Sequence, residues 1–104
     1  MNCAVFRDGH LLGVFHLGSP EDIHPHLWER HPAGDEVLLM LEGVLDVEVL
    51  EGPGSSFARL EAGQCLIVPR DAWHRLALRE PGRLLVLTRP RDTALVSDPS
   101  GVVT

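Results

Sequence analysis

A chain of 104 residues is the length of one domain, and with 44% hydrophobic residues it can bury a core without disulfide staples. Nine basic residues against fifteen acidic ones give a formal charge of −6, an acidic surface that repels phosphate backbones and anionic lipid, so neither nucleic-acid nor membrane partners are expected. Met1 to His10 lacks the basic and apolar regions of a signal peptide, and the longest apolar run, Val37 to Leu41, is too short to span a bilayer, which leaves a cytoplasmic protein as the expectation.

Turn signals recur along the chain: Asp8-Gly9, Gly18-Ser19-Pro20, Pro32-Ala33-Gly34, Glu42-Gly43, Gly52-Pro53-Gly54, Ala62-Gly63, Pro69-Arg70-Asp71 and Pro81-Gly82. Short apolar segments lie between them, a rhythm that predicts an all-β sandwich or barrel. Strands are expected near 4–7, 11–17, 26–31, 36–41, 44–50, 57–60, 65–68, 75–79 and 84–89. Glu21 to Trp28 has room for one helical turn, although His24-Pro25-His26 favours an extended path. From Val44 to Val49 the pattern alternates, with Leu45, Val47 and Val49 on one face and Asp46 and Glu48 on the other. The two-residue link Glu42-Gly43 predicts a tight hairpin, since glycine permits positive φ.

Val37 to Leu41 and Leu84 to Leu87 do not alternate, so both faces of those strands are expected to be covered. In a small barrel a second subunit would cover the outer one, which predicts a homodimer. The segment from Pro90 to Thr104, with Leu95, Val96, Val102 and Val103, has no clear period. It is expected as a tail, residues 90–104, that wraps the barrel or a partner, or frays, beyond a barrel core of about residues 9–89 of a single domain. Cys3 and Cys65 form no Cys-x-x-Cys pair, so neither a zinc knuckle nor a redox pair is expected. Inert buried thiols are the plain reading.

Metal-ligand side chains concentrate in two stretches, Trp28-Glu29-Arg30-His31-Pro32-Ala33-Gly34-Asp35-Glu36 and Gly63 to His74. Period two on a strand puts Glu29 and His31 on one face. Glu36 opens the next strand on the face of Leu38 and Met40, and His74 comes from a distant strand. Neutral imidazoles with ionised carboxylates suit a divalent transition ion such as iron, manganese, nickel or zinc. Trp28 and Trp73 read as packing residues.

These residues resemble the motifs of the cupin superfamily. Its first motif runs from a glycine through His-x-His to a glutamate and a closing glycine; here His31, four residues, Glu36, six residues and Gly43 match its second half. Its second motif runs Gly, Pro, Gly, His, Asn; here Gly63, five residues, Pro69, then Asp71 and His74 follow it. The resemblance covers roughly Trp28 to Thr88 and implies a double-stranded β-helix or jelly-roll barrel. It carries His31, Glu36 and His74 over as metal ligands, and Glu29 by position only, because Glu29 stands where the family has its first histidine. Asp71 replaces the motif glycine, Leu78 replaces the final asparagine, and Ile23 stands in place of the opening glycine. In a rival register His24-Pro25-His26 supplies the His-x-His, but Arg30 and His31 occupy the places where glutamate is required.

Two functions remain open. In one, the chain is a metal-dependent enzyme on a small molecule. In the other it is a non-catalytic module that binds a small ligand, with or without metal. The expected pocket wall of Leu38, Met40, Leu45, Val47 and Leu76 offers few polar groups, and there is no tyrosine, which disfavours carbohydrate. No Gly-x-Ser-x-Gly elbow or phosphate-cradling loop occurs.

Overall fold

The structure, a computed structural model, describes residues 2–101, so Val102 and Val103 lie outside the described residues. The strands in chain order are β1 (Asn2–Val5), β2 (Leu11–Leu17), β3 (Trp28–Arg30), β4 (Glu36–Glu51), β5 (Gly54–Leu60), β6 (Cys65–Val68), β7 (His74–Thr88) and β8 (Ala94–Val96). Short 3-10 turns occupy Pro20–Ile23 and Pro99–Gly101. The architecture is the expected all-β barrel.

β4 and β7 run antiparallel from Val37 opposite Leu87 to Val49 opposite His74. The first half of β4 pairs with β6 on its other edge, and the second half with β5. β7 carries β2 and then β1 along its second half, and β3 and then β8 at its start. The two long strands are thus shared by two sheets that close over one core. Leu17, Leu38, Met40, Leu84 and Val86 come from one sheet, and Leu45, Val47, Val49, Leu60 and Leu78 from the other.

The Glu42-Gly43 hairpin does not form. The chain passes straight through as β4, with register shifts between Met40 and Leu45. Gly43 sits at φ 85, and a Cβ there would fall 2.5 Å from the Glu80 carbonyl oxygen. Across the bulge the buried positions switch from even numbers (Glu36, Leu38, Met40) to odd (Leu45, Val47, Val49). A bulge inserts the extra residue that keeps both halves facing inward. A hairpin and a bulge use the same positive-φ glycine, which is why sequence could not separate them.

The outer faces differ. On the β4–β5–β7 side Asp46 pairs with Arg59 at 2.7 Å and Arg79 at 2.6 Å, and Glu48 pairs with Arg75 at 2.7 Å. On the β2–β7–β4–β6 side the outward row is apolar: Val14, Leu85, Leu39, then Leu12, Leu87, Val37 and Ile67. The expectation that both faces of Val37 to Leu41 are covered holds only in part, because within this chain Val37, Leu39 and Leu41 are half-buried. The cysteine reading is corrected too. Cys3 and Cys65 are free and exposed. Cys3 lies on an edge strand, and Cys65 on the outward face of another.

Candidate metal centre

Strand ends bring the four expected side chains together. Glu29 of β3 pairs directly with His74, the first residue of β7. His31 follows β3 by one residue, and Glu36 opens β4. β3 is only three residues long, so other contacts hold it. The Arg75 guanidinium lies 4.4 Å over the Trp28 ring, and that of Arg30 lies 4.6 Å over Trp73. These cation–π pairs flank the Glu29–His74 pair on either side. The Asp71 amide donates to the His31 carbonyl at 3.1 Å. Asp71 takes the place of the motif glycine and keeps its backbone, at φ 65, a region that aspartate tolerates better than most residues. Leu78, in place of the motif asparagine, is buried in the core.

His31 Nε2 lies 2.6 Å from Glu29 Oε1 and 2.9 Å from Glu36 Oε2, and His74 Nε2 lies 3.1 Å from Glu36 Oε1. The two imidazole centroids are 5.2 Å apart. One donor atom from each of the four residues lies within 4.8 Å of the others. His31 Nδ1 meets Thr93 Oγ1 at 2.8 Å, and His74 Nδ1–H donates to the Ala72 carbonyl at 3.0 Å. The bond to a carbonyl favours the His74 proton on Nδ1, so that Nε2, here in a 3.1 Å hydrogen bond with Glu36 Oε1, is the nitrogen that would face an ion.

Burial opposes a charge on His31, but the carboxylates of Glu29 and Glu36 outweigh it and raise its pKa to about 9. Burial likewise opposes a charge on Glu36, and contact with His31 and His74 overrides it, lowering the pKa to about 2. Close as His31 Nε2 stands to both carboxylates, it is buried and meets hydrogen-bond geometry with neither. His74 Nε2 and Glu36 Oε1 do form a hydrogen bond, but a His31 Nε2 crowded by two carboxylates and bonded to neither fits a place in a ligand set. Groups about 2.0–2.2 Å from one ion stand roughly 3 Å from each other, much like the separations here.

Beside the group lies a cavity of about 350 Å³. Leu38 and Leu76 line it as expected, together with Leu11, Phe15, Leu84 and Val86. Met40, Leu45 and Val47 do not; they are fully buried in the core. His24, in left-handed backbone at φ 48, reaches the cavity, whereas exposed His26 does not line it. A larger hollow of about 550 Å³ between Arg7, Pro32 and Arg89 touches none of the four site residues. Sequence reading missed two residues, Thr88 and Thr93. Thr93 lies just before β8, in the segment read as a tail. Within that segment Ala94–Val96 joins the sheet, with Trp28, Glu29 and Arg30 opposite Val96, Leu95 and Ala94. Short strands paired at one edge leave no periodic signal.

A profile of the cupin domain matches residues 17–88. No curated protein matches the chain by sequence. Among solved structures, a cupin superfamily protein from Desulfitobacterium hafniense is 19% identical over 85% of this chain and 73% of its own, with a TM-score of 0.67. HppE holding Fe(II) and an alternative substrate is 21% identical over 84% of this chain and 47% of its own, at a TM-score of 0.63; the same protein is known with Co(II). Oxalate oxidase in complex with the substrate analogue glycolate is 20% identical over 88% of this chain and 47% of its own, at 0.64. The chain spans about half the length of the latter two. At these identities the likeness is one of fold. With the motif residues meeting at one end of the barrel, and the profile covering most of the sequence, the chain belongs to the cupin domain family.

Proposed function

We propose that Glu29, His31, Glu36 and His74 hold one divalent transition ion and that the barrel presents a small molecule to it. The observation that carries this is the convergence of four donors within 4.8 Å beside a cavity of about 350 Å³. An imidazole and carboxylate set suits iron, manganese, nickel or zinc, and a similar fold holds Fe(II) or Co(II) in HppE. When bound, the ion would supply Lewis acidity to an oxygen of the small molecule. The chain's own residues do the rest. Thr93 and the Ala72 carbonyl fix the two ring orientations. Glu36 faces both imidazoles. Glu29, at 37% side-chain exposure, is the most open of the four.

The test is metal content of the purified protein beside His31→Ala and His74→Ala. Near-stoichiometric metal in the wild type, lost in both variants, is expected. Equal trace metal in all three sinks the proposal. A second reading has one observation in its favour. A proton on His31 offsets part of the carboxylate charge of the group, which lets the four side chains stand together in a ligand-binding module without an ion. Ligand binding that survives complete chelation would favour it. A second copy of the chain covers the apolar outer face in either reading.

A further inference from the structure

The four site residues are not held alike. His31 is fixed from behind by Thr93 Oγ1 at 2.8 Å, and His74 by the Ala72 carbonyl at 3.0 Å. Glu36 turns one carboxylate oxygen toward each imidazole. All three are buried. Glu29 is half-buried, lines the cavity, and meets the group through Oε1 alone, 2.6 Å from His31 Nε2. Among the described residues no second side chain or backbone group holds its carboxylate. Outer partners are what keep a metal ligand in place, and Glu29 is the member of the set without one.

The backbone beneath Glu29 is fixed. β3 sets it between His74 of β7 and Leu95 of β8. What is free to turn is the side chain, and open side chains change rotamer fast. The Glu29 carboxylate can therefore leave the group without moving the strand or the three anchored residues.

Charge says what replaces it. Two neutral imidazoles and two carboxylates balance a divalent ion. With Glu29 turned away, one positive charge stands uncompensated in a site largely screened from water, and one negative oxygen donor restores the balance. The other carboxylate at this cavity, Asp22, already accepts the Gly18 and Ser19 amides at 2.8 and 3.0 Å and does not take the place. The wall beyond is mostly apolar, with Leu11, Phe15, Leu84 and Val86.

We infer that Glu29 is the exchangeable member of the site: it closes the ligand set in the resting protein and yields its position to a small molecule that carries one negatively charged oxygen donor on an apolar body. The inference rests on the proposed metal reading and adds which residue gives way and what chemistry takes its place.

Co(II) is the test ion, because its visible absorption reports the ligands around it, and acetohydroxamate is the oxygen-donor probe. Wild type is compared with Glu29→Val, a side chain suited to a strand, and with Glu29→Ala as a second variant. All three are expected to hold close to one cobalt per chain. Without the probe the wild-type spectrum is expected to differ from those of the variants. With the probe bound the spectra are expected to coincide, because Glu29 is then off the ion in wild type too. The probe should bind the variants about tenfold more tightly, since no carboxylate has to be displaced. Spectra that still differ with the probe bound would show that Glu29 stays and overturn the inference. So would spectra alike before the probe is added, a probe that binds none of the proteins or prefers wild type, or loss of cobalt from both variants, which makes Glu29 an anchor. In each of these cases cobalt in the wild type leaves the metal reading standing. A wild type that takes up no cobalt defeats that reading, and the inference falls with it.

Discussion

His31 keeps a charge because Glu29 and Glu36 stand beside it, and Glu36 keeps its own because His31 and His74 do. The contact between His31 and Glu36 enters both shifts and counts once. The His31 pKa of about 9 lies above the ordinary 6.5, so this contribution to stability is complete below pH 6.5 and is lost as pH rises through 9. The Glu36 pKa of about 2 lies below the ordinary 4.5, so the contribution is complete above pH 4.5 and is lost as pH falls toward 2. In chelated protein the cluster therefore stabilises most between pH 4.5 and 6.5. A metal ion must displace the His31 proton, so its affinity climbs with pH up to about 9. The gap in melting temperature between metal-loaded and chelated protein is then expected to widen from pH 6 toward 9. A gap that stays constant or narrows would show that His31 does not bind the ion. Thr93 offers a second handle. It holds His31 Nδ1 at 2.8 Å, and loss of such a partner costs a metal site about 10–100-fold in affinity. Thr93→Val is expected to retain its fold and weaken metal binding by that order, as read by chelator competition.

The crossing of β4 and β7 sets where those residues point. Glu36 lies ahead of the Gly43 bulge and Val49, opposite His74, lies beyond it, so the bulge fixes both on one interior. A Cβ at Gly82 would run into the Glu42 carbonyl, backbone that cannot swing aside. Gly82→Ala is therefore expected to destabilise by about 2–4 kcal/mol, and Gly43→Ala by a similar amount, since its φ of 85 strains any side chain. Urea melts measure both, and an unchanged midpoint for Gly82→Ala would mean that the strands do not cross so closely. This element also shows how far sequence carries. Alternation gave the inward face of Leu45, Val47 and Val49, and the spacing of His31, Glu36 and His74 gave the convergence, because both are local patterns or fixed motif distances. Whether Glu42-Gly43 reversed the chain or kinked it depended on Gly82, distant in sequence. The pairing of β8 with β3, and with it Thr93, depended on contacts that no period encodes.

At the scale of the molecule, the contrast between the two outer faces calls for a partner. One is laced with Asp46, Glu48, Arg59, Arg75 and Arg79 ion pairs and is at ease in water. The other sets Val37, Leu39, Leu85, Leu87, Leu12 and Val14 side by side, with Ile67 59% exposed at the margin. Contiguous apolar patches beyond a few hundred Å² are rare on monomers. A flat apolar sheet face is also self-complementary, which is what a two-fold dimer requires. We therefore expect a homodimer joined through this face, with the four site residues inside each barrel and independent of it. Leu39→Glu puts a charge at the middle of the patch. It is expected to yield monomers by light scattering at micromolar concentration, with metal content per chain unchanged. Because Leu39 faces outward, beside Leu85 and Cys65, the barrel core stays packed in the variant. A wild-type protein already monomeric at that concentration would sink the dimer. A Leu39→Glu protein that stays dimeric would place the interface elsewhere, on the charged sheet or at an edge strand.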